Sequence, residues 1–99
     1  MNVTDIRIRR TYEEGKLKAL VSVTIDHDLA VHDIKVIEGS ERLFVAMPSR
    51  KDDNGVFRDI VHPITMDGRR TLEGLILEEY HKYLSQQQAY SEDTEKLKW

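Results

Sequence analysis

The sequence contains no cysteine, only two prolines and no long apolar run. Without cysteine, disulfide cross-links and thiolate chemistry are excluded, which fits a reducing cytosol. No apolar run approaches the roughly 20 residues that a membrane-spanning helix needs. The residues from Met1 to Arg10 also lack the continuous apolar core of a signal peptide. These absences predict a cytoplasmic protein with no membrane segment.

The chain also has fewer positive than negative charges. The 15 lysine and arginine residues are outnumbered by 18 aspartate and glutamate residues, which gives a net charge of −3. Such a chain is not a general polycation, so any nucleic-acid binding must come from a local patch. Aromatic residues make up only 7% of the chain, so stacking platforms for single-stranded nucleic acid are few.

The clearest pattern in the chain is an alternation of apolar and polar residues from Leu17 to Ile25. A period of two predicts a strand with one buried face. The next extended segment, from Leu29 to Ile37, changes the parity of its apolar positions partway along. A β-bulge near His32 and Asp33 would explain the change, since one extra residue reverses the facing of everything after it. The alternative is a strand buried on both faces.

A long hairpin is predicted in the middle of the chain. An apolar run from Leu43 to Met47 enters a polar loop, Asn54 and Gly55 turn the chain, and a second extended run follows. Asn-Gly between two runs of strand-forming residues is a strong hairpin signal, because both residues tolerate the positive φ of tight turns. We therefore expect an arm whose loop holds Arg50 and Lys51 away from the sheet.

In the last third of the chain the apolar period becomes that of a helix. The predicted apolar stripe consists of Leu72, Leu75, Ile76, Tyr80, Tyr83 and Leu84. We expect this stripe to pack on the apolar face of the strand from Leu17 to Ile25, with Leu77 outside the contact. Asp67 or Thr71 is expected to cap the helix start. A close approach of helix to sheet would account for Gly74, which otherwise weakens a helix.

The fold class that follows is α+β, with about five antiparallel strands and one C-terminal helix. Residues 1–84 form the predicted domain, and residues 85–99 form a polar tail that is either disordered or a helical extension. A chain of 99 residues buries only about two thirds of its unfolded surface. One helix covers one face of a small sheet but not both. We therefore expect a homodimer joined through strand edges.

Histidines beside carboxylates raise the question of catalysis. They occur in Asp26-His27-Asp28 and in His32-Asp33, but adjacent strand residues point to opposite faces, so this spacing does not align them. The sequence has no nucleophile with an oriented base, no glycine-rich phosphate loop and no zinc-ligand spacing. We therefore predict that the protein is not an enzyme and has no cofactor, metal or small-molecule substrate. We interpret His27 as a structural residue of a turn.

Four segments of the chain resemble the motifs of a known family. They read VTDIRIRR, VTIDHDLAVHDIKVIEG, LFVAMPSRKDDNGVFRDIVHPI and EEYHKYL, in that order. From Met1 to about Leu84 the chain resembles the SpoVG (stage V sporulation protein G, septation regulator) family. The resemblance implies a small bacterial regulator of septation and sporulation that binds DNA and RNA and forms a dimer on antiparallel strands. It also implies that Arg50 and Lys51, the basic pair after Met-Pro-Ser, contact nucleic acid.

The candidate nucleic-acid-binding residues are Arg50, Lys51, Arg58, Arg69 and Arg70. Arg50 and Lys51 are expected to contact phosphates, which positions a protein on a duplex without reading its sequence. The alternative is a loop that only improves solubility. Arg58 either extends the basic patch or forms a cross-strand ion pair. Arg69 and Arg70 lie near the helix start, where backbone N–H groups favour an anion, or at an ordinary solvated helix end.

Two further features bear on the function. Where the SpoVG family commonly has a neutral Thr-Pro-like pair, this chain has Asp52 and Asp53, which repel nearby phosphates. Arg7, Arg9 and Arg10 form either a basic strand face or the outer face of an ordinary strand. The alternative function is a non-catalytic protein-interaction module that acts on the cell-division machinery.

Overall fold

The computed structural model describes the backbone of residues 1–97 and the side chains of residues 1–86. In this part of the chain six strands precede one helix. The elements are β1 (Val3–Thr11), β2 (Leu17–Ile25), β3 (Leu29–Glu38), β4 (Leu43–Ala46), β5 (Ser49–Lys51), β6 (Phe57–Asp59) and α1 (Met66–Leu97). The predicted α+β class is confirmed. The strand count differs because the predicted arm divides into β4, which joins the main sheet, and a separate ribbon.

The strands form two antiparallel sheets. In the larger one the spatial order β1-β2-β3-β4 follows the chain, so each strand pairs with its neighbour in sequence through a short turn. The smaller sheet is the two-stranded ribbon β5–β6. An isolated ribbon of this size has no hydrophobic face of its own, so its shape depends on its turn and on its attachment to the main sheet.

The hydrophobic core lies between one face of the main sheet and α1. Val21 and Ile34 from the central strands are fully buried, and so is Ile76 from the helix. The other buried core residues are Ala19, Val23, Val31, Val36, Val45, Met47, Leu72 and Tyr80. The alternation predicted for β2 is confirmed from Ala19 to Ile25, since Ala19, Val21 and Val23 are buried in this core and Ile25 packs against it. Leu17 lies before a register shift and is not part of the core.

A bulge in β3 explains the change of parity in the sequence. Val21 pairs with Ile34 and Val23 pairs with Val31, so two residues of β3 oppose Ser22 alone. Asp33, inside the bulge, has a φ of 62°. The extra residue lets both Val31 and Ile34 reach the core. The bulge prediction is confirmed, and the alternative of a strand buried on both faces is wrong.

The turn between β2 and β3 uses backbone angles that few side chains adopt. Asp26 and His27 have φ values of 52° and 61°, and the N–H of Asp28 donates to the carbonyl of Ile25 at 3.0 Å. Two successive positive φ values are the signature of the type I′ hairpin turn. The His27 N–H donates to Thr4 Oγ1 at 3.0 Å. The prediction that this histidine belongs to a turn is confirmed.

The start of α1 is capped by a residue that differs from both predicted candidates. Thr65 Oγ1 accepts a hydrogen bond from the Gly68 N–H at 2.9 Å, which satisfies one of the free donors of the first turn. Neither Asp67 nor Thr71 has this role. Gly74 was expected at a close helix–sheet approach, but a Cβ atom built there meets nothing within 4 Å. That prediction is wrong.

The buried face of α1 is rotated relative to the prediction. Leu72, Ile76 and Tyr80 are buried as expected, but Leu75 is 37% exposed, and Leu77 packs against the core instead. At about 100° per residue, Leu75 and Leu77 lie equally far from the centre of the buried stripe, on opposite sides. Periodicity therefore cannot choose between them, and the packing of the helix on the sheet does.

The end of the helix extends past the main sheet. Leu84, which was predicted on the apolar stripe, is 38% exposed. A four-stranded sheet is only about 20 Å wide, so a helix of this length cannot be covered along all of it. The proposed division at Leu84 stays a prediction, since Lys98, Trp99 and the side chains after Gln86 lie outside the described residues. No helix in the described part of the chain is long and apolar enough to cross a membrane.

Candidate nucleic-acid interface

The ribbon β5–β6 projects from a buried base. Met47 and Pro48 are buried where the chain leaves β4, and the Ile60 N–H donates to the Pro48 carbonyl at 2.7 Å. Above this base Ser49 pairs with Asp59. The chain thus leaves and re-enters the body of the protein at one point, and the residues between are surrounded by solvent.

The carboxylate of Asp52 organises the turn at the tip of the ribbon. Its Oδ1 accepts hydrogen bonds from the N–H groups of Asn54 at 2.9 Å and Val56 at 3.0 Å. The backbone closes the same turn, because the Asp52 N–H donates to Val56 O at 2.8 Å and the Gly55 N–H donates to Asp52 O at 3.0 Å. Gly55 has a φ of 81°, which glycine adopts without strain. The Asn-Gly turn prediction is confirmed.

Arg58 is held by the same carboxylate. Its Nε lies 2.7 Å from Asp52 Oδ2, and this hydrogen bond is the main reason that the pKa of Asp52 is lowered, with the Val56 N–H adding to it. Arg58 is directly opposite Arg50 in the ribbon, where two like charges destabilise the pairing. Asp52 offsets that repulsion. Arg58 is therefore in an ion pair, but its acid lies in the turn and not on the opposite strand as the alternative interpretation had it.

Arg50 and Lys51 lie in β5 and not in a loop, which corrects the prediction. Because successive strand residues point to opposite faces, the two cations do not act from the same side. Arg50 shares a face with Arg58, whereas Lys51 pairs with Phe57 and its Nζ lies 5.3 Å from the centre of that ring. Both cations are exposed.

The ribbon as a whole is electrically balanced. Between Ser49 and Asp59 the three cations Arg50, Lys51 and Arg58 are matched by three carboxylates, Asp52, Asp53 and Asp59. Within the described part of the chain, Arg50 and Lys51 have no carboxylate within 4 Å. An open depression of about 470 Å³ lies among these side chains. The ribbon therefore presents two available cations, one on each face.

Arg69 and Arg70 belong to a different element. Both are exposed near the start of α1, and the Arg69 N–H donates to the Thr65 carbonyl at 3.0 Å, so it is not available to an anion. Asp67 already places a carboxylate in this first turn, where it interacts favourably with the helix dipole. No hydrogen bond or ion pair among the described residues joins the two arginines to the ribbon.

The histidines next to carboxylates do not form a metal or catalytic cluster within the described residues. No group of three potential metal ligands occurs there. His32 Nδ1 lies 2.8 Å from Ser22 Oγ, and His62 Nδ1 lies 3.0 Å from the carbonyl of Pro63. These contacts are local and polar, and neither brings a second ionisable side chain to the ring.

The fold and the ribbon define a small α+β protein with one open sheet face and a projecting two-stranded ribbon that carries exposed cations. A family model described as SpoVG matches residues 1–82, and the chain belongs to the SpoVG family. It is 55% identical to a protein of Thermoanaerobacter sp. (strain X514) over 92 residues, which cover 93% of this chain and 100% of the relative. That relative carries the name "Putative septation protein SpoVG".

Further relatives carry the same name. A protein of Clostridium botulinum (strain Eklund 17B / Type B) is 53% identical over 92 residues, 93% of this chain and 100% of its own length. A protein of Agathobacter rectalis is 58% identical over 80 residues, 81% of this chain and 92% of its own length. The family resemblance drawn from the sequence motifs is confirmed.

Proposed function

We propose that this chain is a non-catalytic cytoplasmic regulator of septation and sporulation that binds DNA and RNA through the ribbon β5–β6. The septation part of the proposal rests on the names of the relatives. The nucleic-acid part is supported by one observation above all: Arg50 and Lys51 are exposed on a projecting ribbon without a carboxylate partner among the described residues.

Cations on opposite faces of a narrow ribbon suit a nucleic-acid groove. The major groove of B-DNA admits a two-stranded β-ribbon. A ribbon that enters tip first, with its plane along the groove, has one sugar-phosphate backbone beside each face. In that orientation Arg50 faces one strand and Lys51 the other. Contacts of this kind position the protein and carry little sequence information. The opposite orientation of the two residues is therefore compatible with binding.

The test measures duplex binding of Arg50→Ala, Lys51→Ala and the double variant by fluorescence anisotropy at several salt concentrations. Removing a cation that binds one phosphate should flatten the plot of log affinity against log salt by about 0.9. The two single variants should have similar effects, since each removes one cation from one face. A suitable control is Glu78→Gln with Lys82→Gln, which removes an ion pair of α1 and should leave the slope unchanged. Wild-type affinity in the double variant would contradict the proposed site.

Asp52 and Asp53 allow a test of opposite sign. Asp52→Asn keeps an oxygen that accepts the N–H bonds of Asn54 and Val56, but it removes the charge that holds Arg58. Asp53→Asn removes the same charge nearby and releases no cation. Both variants should bind nucleic acid more tightly, and Asp52→Asn should also steepen the salt slope by about 0.9. Equal slopes in the two variants would show that Arg58 does not reach a phosphate when released.

A protein-interaction module remains the second candidate function, and one observation favours it. Apolar side chains after the turn are exposed: Phe57 is 67% exposed, Ile60 64% and Ile64 90%. Exposed apolar surface of this kind marks interaction sites. An interaction module would show weak or no nucleic-acid binding even at low salt, so the same titration separates the two functions.

A further inference from the structure

The open face of the main sheet is formed by residues that point away from α1. In β2 these include Leu20 and Ser22, whose neighbours Val21 and Val23 enter the core. Cross-strand pairing places Arg10 and Lys35 on either side of Leu20, and Arg7 beside Ser22. Paired residues share a face of the sheet, so all three cations lie on the side that the helix leaves uncovered.

A bulge in β1 adds another cation to this face. Ile8 pairs with Val21 and Arg10 pairs with Leu20, so Arg9 is the extra residue in β1. Its Nε donates to Ser22 Oγ at 3.2 Å. In a regular strand Arg10 would follow Ile8 into the core. The bulge instead directs Arg9 and Arg10 to the open face together.

Few carboxylates neutralise these cations. Arg7 is paired with Asp5 at 2.9 Å, but Arg9, Arg10 and Lys35 have no carboxylate within 4 Å among the described residues.

Other charged groups lie at the margins of this face. Asp33 is exposed in the β3 bulge next to His32, and Lys18 is paired with Glu38. The open face therefore has an excess of positive charge, in contrast to the balanced ribbon. This excess occurs in a chain whose net charge is −3, so the positive charge is local to this face.

We propose that the open sheet face is a second nucleic-acid contact surface, where Arg9, Arg10 and Lys35 bind phosphates of a double-stranded segment. This inference rests on the proposed function and extends it from two cations per chain to five. Arg10 and Lys35 are separated by one intervening strand, or about 10 Å between backbones, which long flexible side chains can bridge to neighbouring phosphates.

The chemistry of the face favours a duplex backbone over unpaired bases. Readers of single strands present aromatic rings on which bases stack. On this face Tyr12 is covered by the Arg10 guanidinium, 5.3 Å from the ring centre. Phe44 lies on the distant strand β4 and is 38% exposed. With one ring covered by a cation and the other on the edge strand, the centre of the face suits phosphates, which are regularly spaced along a duplex.

The salt dependence of wild-type binding is the first test. If the ribbon alone engages phosphates, two contacts per chain predict a slope of about −1.8 per bound chain on B-DNA, whereas five contacts predict about −4.5 per bound chain. A bound dimer doubles these slopes and the changes expected in the variants, so sedimentation first establishes how many chains bind. The probes are a 30-base-pair DNA duplex, an RNA hairpin with a long stem, and single-stranded oligo-dT. Duplex DNA and the RNA stem should both show the steep slope, and oligo-dT should bind more weakly.

The second test uses the variant Arg9→Gln, Arg10→Gln, Lys35→Gln. Its slope on duplex DNA should be less steep than that of the wild type by about 2.7, with Arg50 and Lys51 still in place. Lys35→Gln alone should flatten the slope by about 0.9. This single variant is included because Lys35 has no side-chain hydrogen bond or ion pair in the described part of the chain, so the substitution should preserve the fold. The matched control is Asp5→Asn with Arg7→Gln, which removes a cation of the same face together with its carboxylate and should leave the slope unchanged.

The outcomes separate this inference from the proposed function. A wild-type slope in the triple variant and in Lys35→Gln, with binding abolished in Arg50→Ala/Lys51→Ala, overturns the second surface and leaves the ribbon standing. No duplex binding by the wild type at low salt overturns both. A triple variant that changes its sedimentation mass but retains the wild-type slope shows that a second copy of the chain covers this face, and overturns the inference.

Discussion

Asp52 carries most of the polar contacts of the ribbon tip. One of its oxygens accepts two backbone N–H groups and the other accepts Arg58. From its charge alone, this residue is expected to repel phosphate. A signal for its structural role is nevertheless present, because an aspartate two residues before Asn-Gly is typical of a side chain that hydrogen-bonds its own turn. Its partner Arg58 is six residues away, and only strand pairing brings them together.

The first prediction concerns the ionisation of Asp52. Its pKa lies below the ordinary value of 3.8, mainly because of Arg58, so Arg58→Gln should raise it toward that value. NMR titration of the Asp52 carboxyl carbon in wild type and variant measures the change. An unchanged pKa would show that the backbone N–H bonds, and not Arg58, determine it.

The sign of the associated pH dependence follows from linkage. A carboxylate whose folded-state pKa is depressed stabilises the folded turn above its unfolded value of 3.8, and this contribution is lost as pH falls through the folded pKa. The Asn54 and Val56 amide signals should therefore shift toward random-coil positions at a lower pH in the wild type than in Arg58→Gln.

At the scale of elements, α1 shows how a helix face depends on its partner. The second prediction compares Ile76→Ala with Leu75→Ala. Ile76 is fully buried, so removing its methyl groups should cost about 2–5 kcal/mol of unfolding free energy. Leu75 is 37% exposed, so its truncation should cost less than about 1 kcal/mol. Urea denaturation measures both, and a larger loss for Leu75→Ala would mean that the helix is rotated toward Leu75.

The third prediction concerns the two glycines of α1. Gly74 is exposed and a Cβ atom there meets nothing within 4 Å, so Gly74→Ala should stabilise the protein by about 1 kcal/mol through helix propensity alone. Gly68→Ala is the matched comparison, because its Cβ would lie 2.9 Å from Thr65 Oγ1, the capping atom. It should give less stabilisation or a net loss. Equal gains in thermal denaturation would contradict this account of the cap.

At the scale of the whole molecule, exposed apolar residues are concentrated in one stretch. Val56, Phe57, Ile60, Ile64 and Met66 are all at least 50% exposed. The stretch connects the ribbon to α1, and the ribbon strands β5 and β6 are too short to bury it. A second copy of the chain related by a two-fold axis would cover it with the same stretch of the partner.

The fourth prediction is the homodimer. Sedimentation at micromolar concentration should give twice the chain mass of 11.6 kDa. Ile60→Ser with Ile64→Ser should shift the protein toward monomer, because it removes apolar area from the contact, whereas folding should be unaffected. The matched control is Leu29→Ser, another exposed apolar residue, 59% exposed, which lies in β3 and outside this stretch. A clean monomer in the wild type would refute the dimer. An unchanged dimer in the double variant would indicate that the chains associate through the free edges of β1 and β4 instead.

Local sequence determined much of this molecule. The alternation in β2, the bulge at His32 and Asp33 and the Asn-Gly turn were readable because each depends on neighbours within a few residues. The alternation of side chains along a strand and the φ values of a turn both depend on residues that are close in the chain. The sequence motifs of the family also indicated the class of protein.

Only the tertiary structure decided which side chains share a surface. Leu75 and Leu77 are equivalent by periodicity, and packing on the sheet selects Leu77. The separation of Arg50 from Lys51 depends on β5 being a strand, which requires its partner β6. Lys35 was not a candidate from sequence, because its place beside Arg10 is set by the register of three strands. Such relations join residues distant along the chain, and only long-range pairing fixes them.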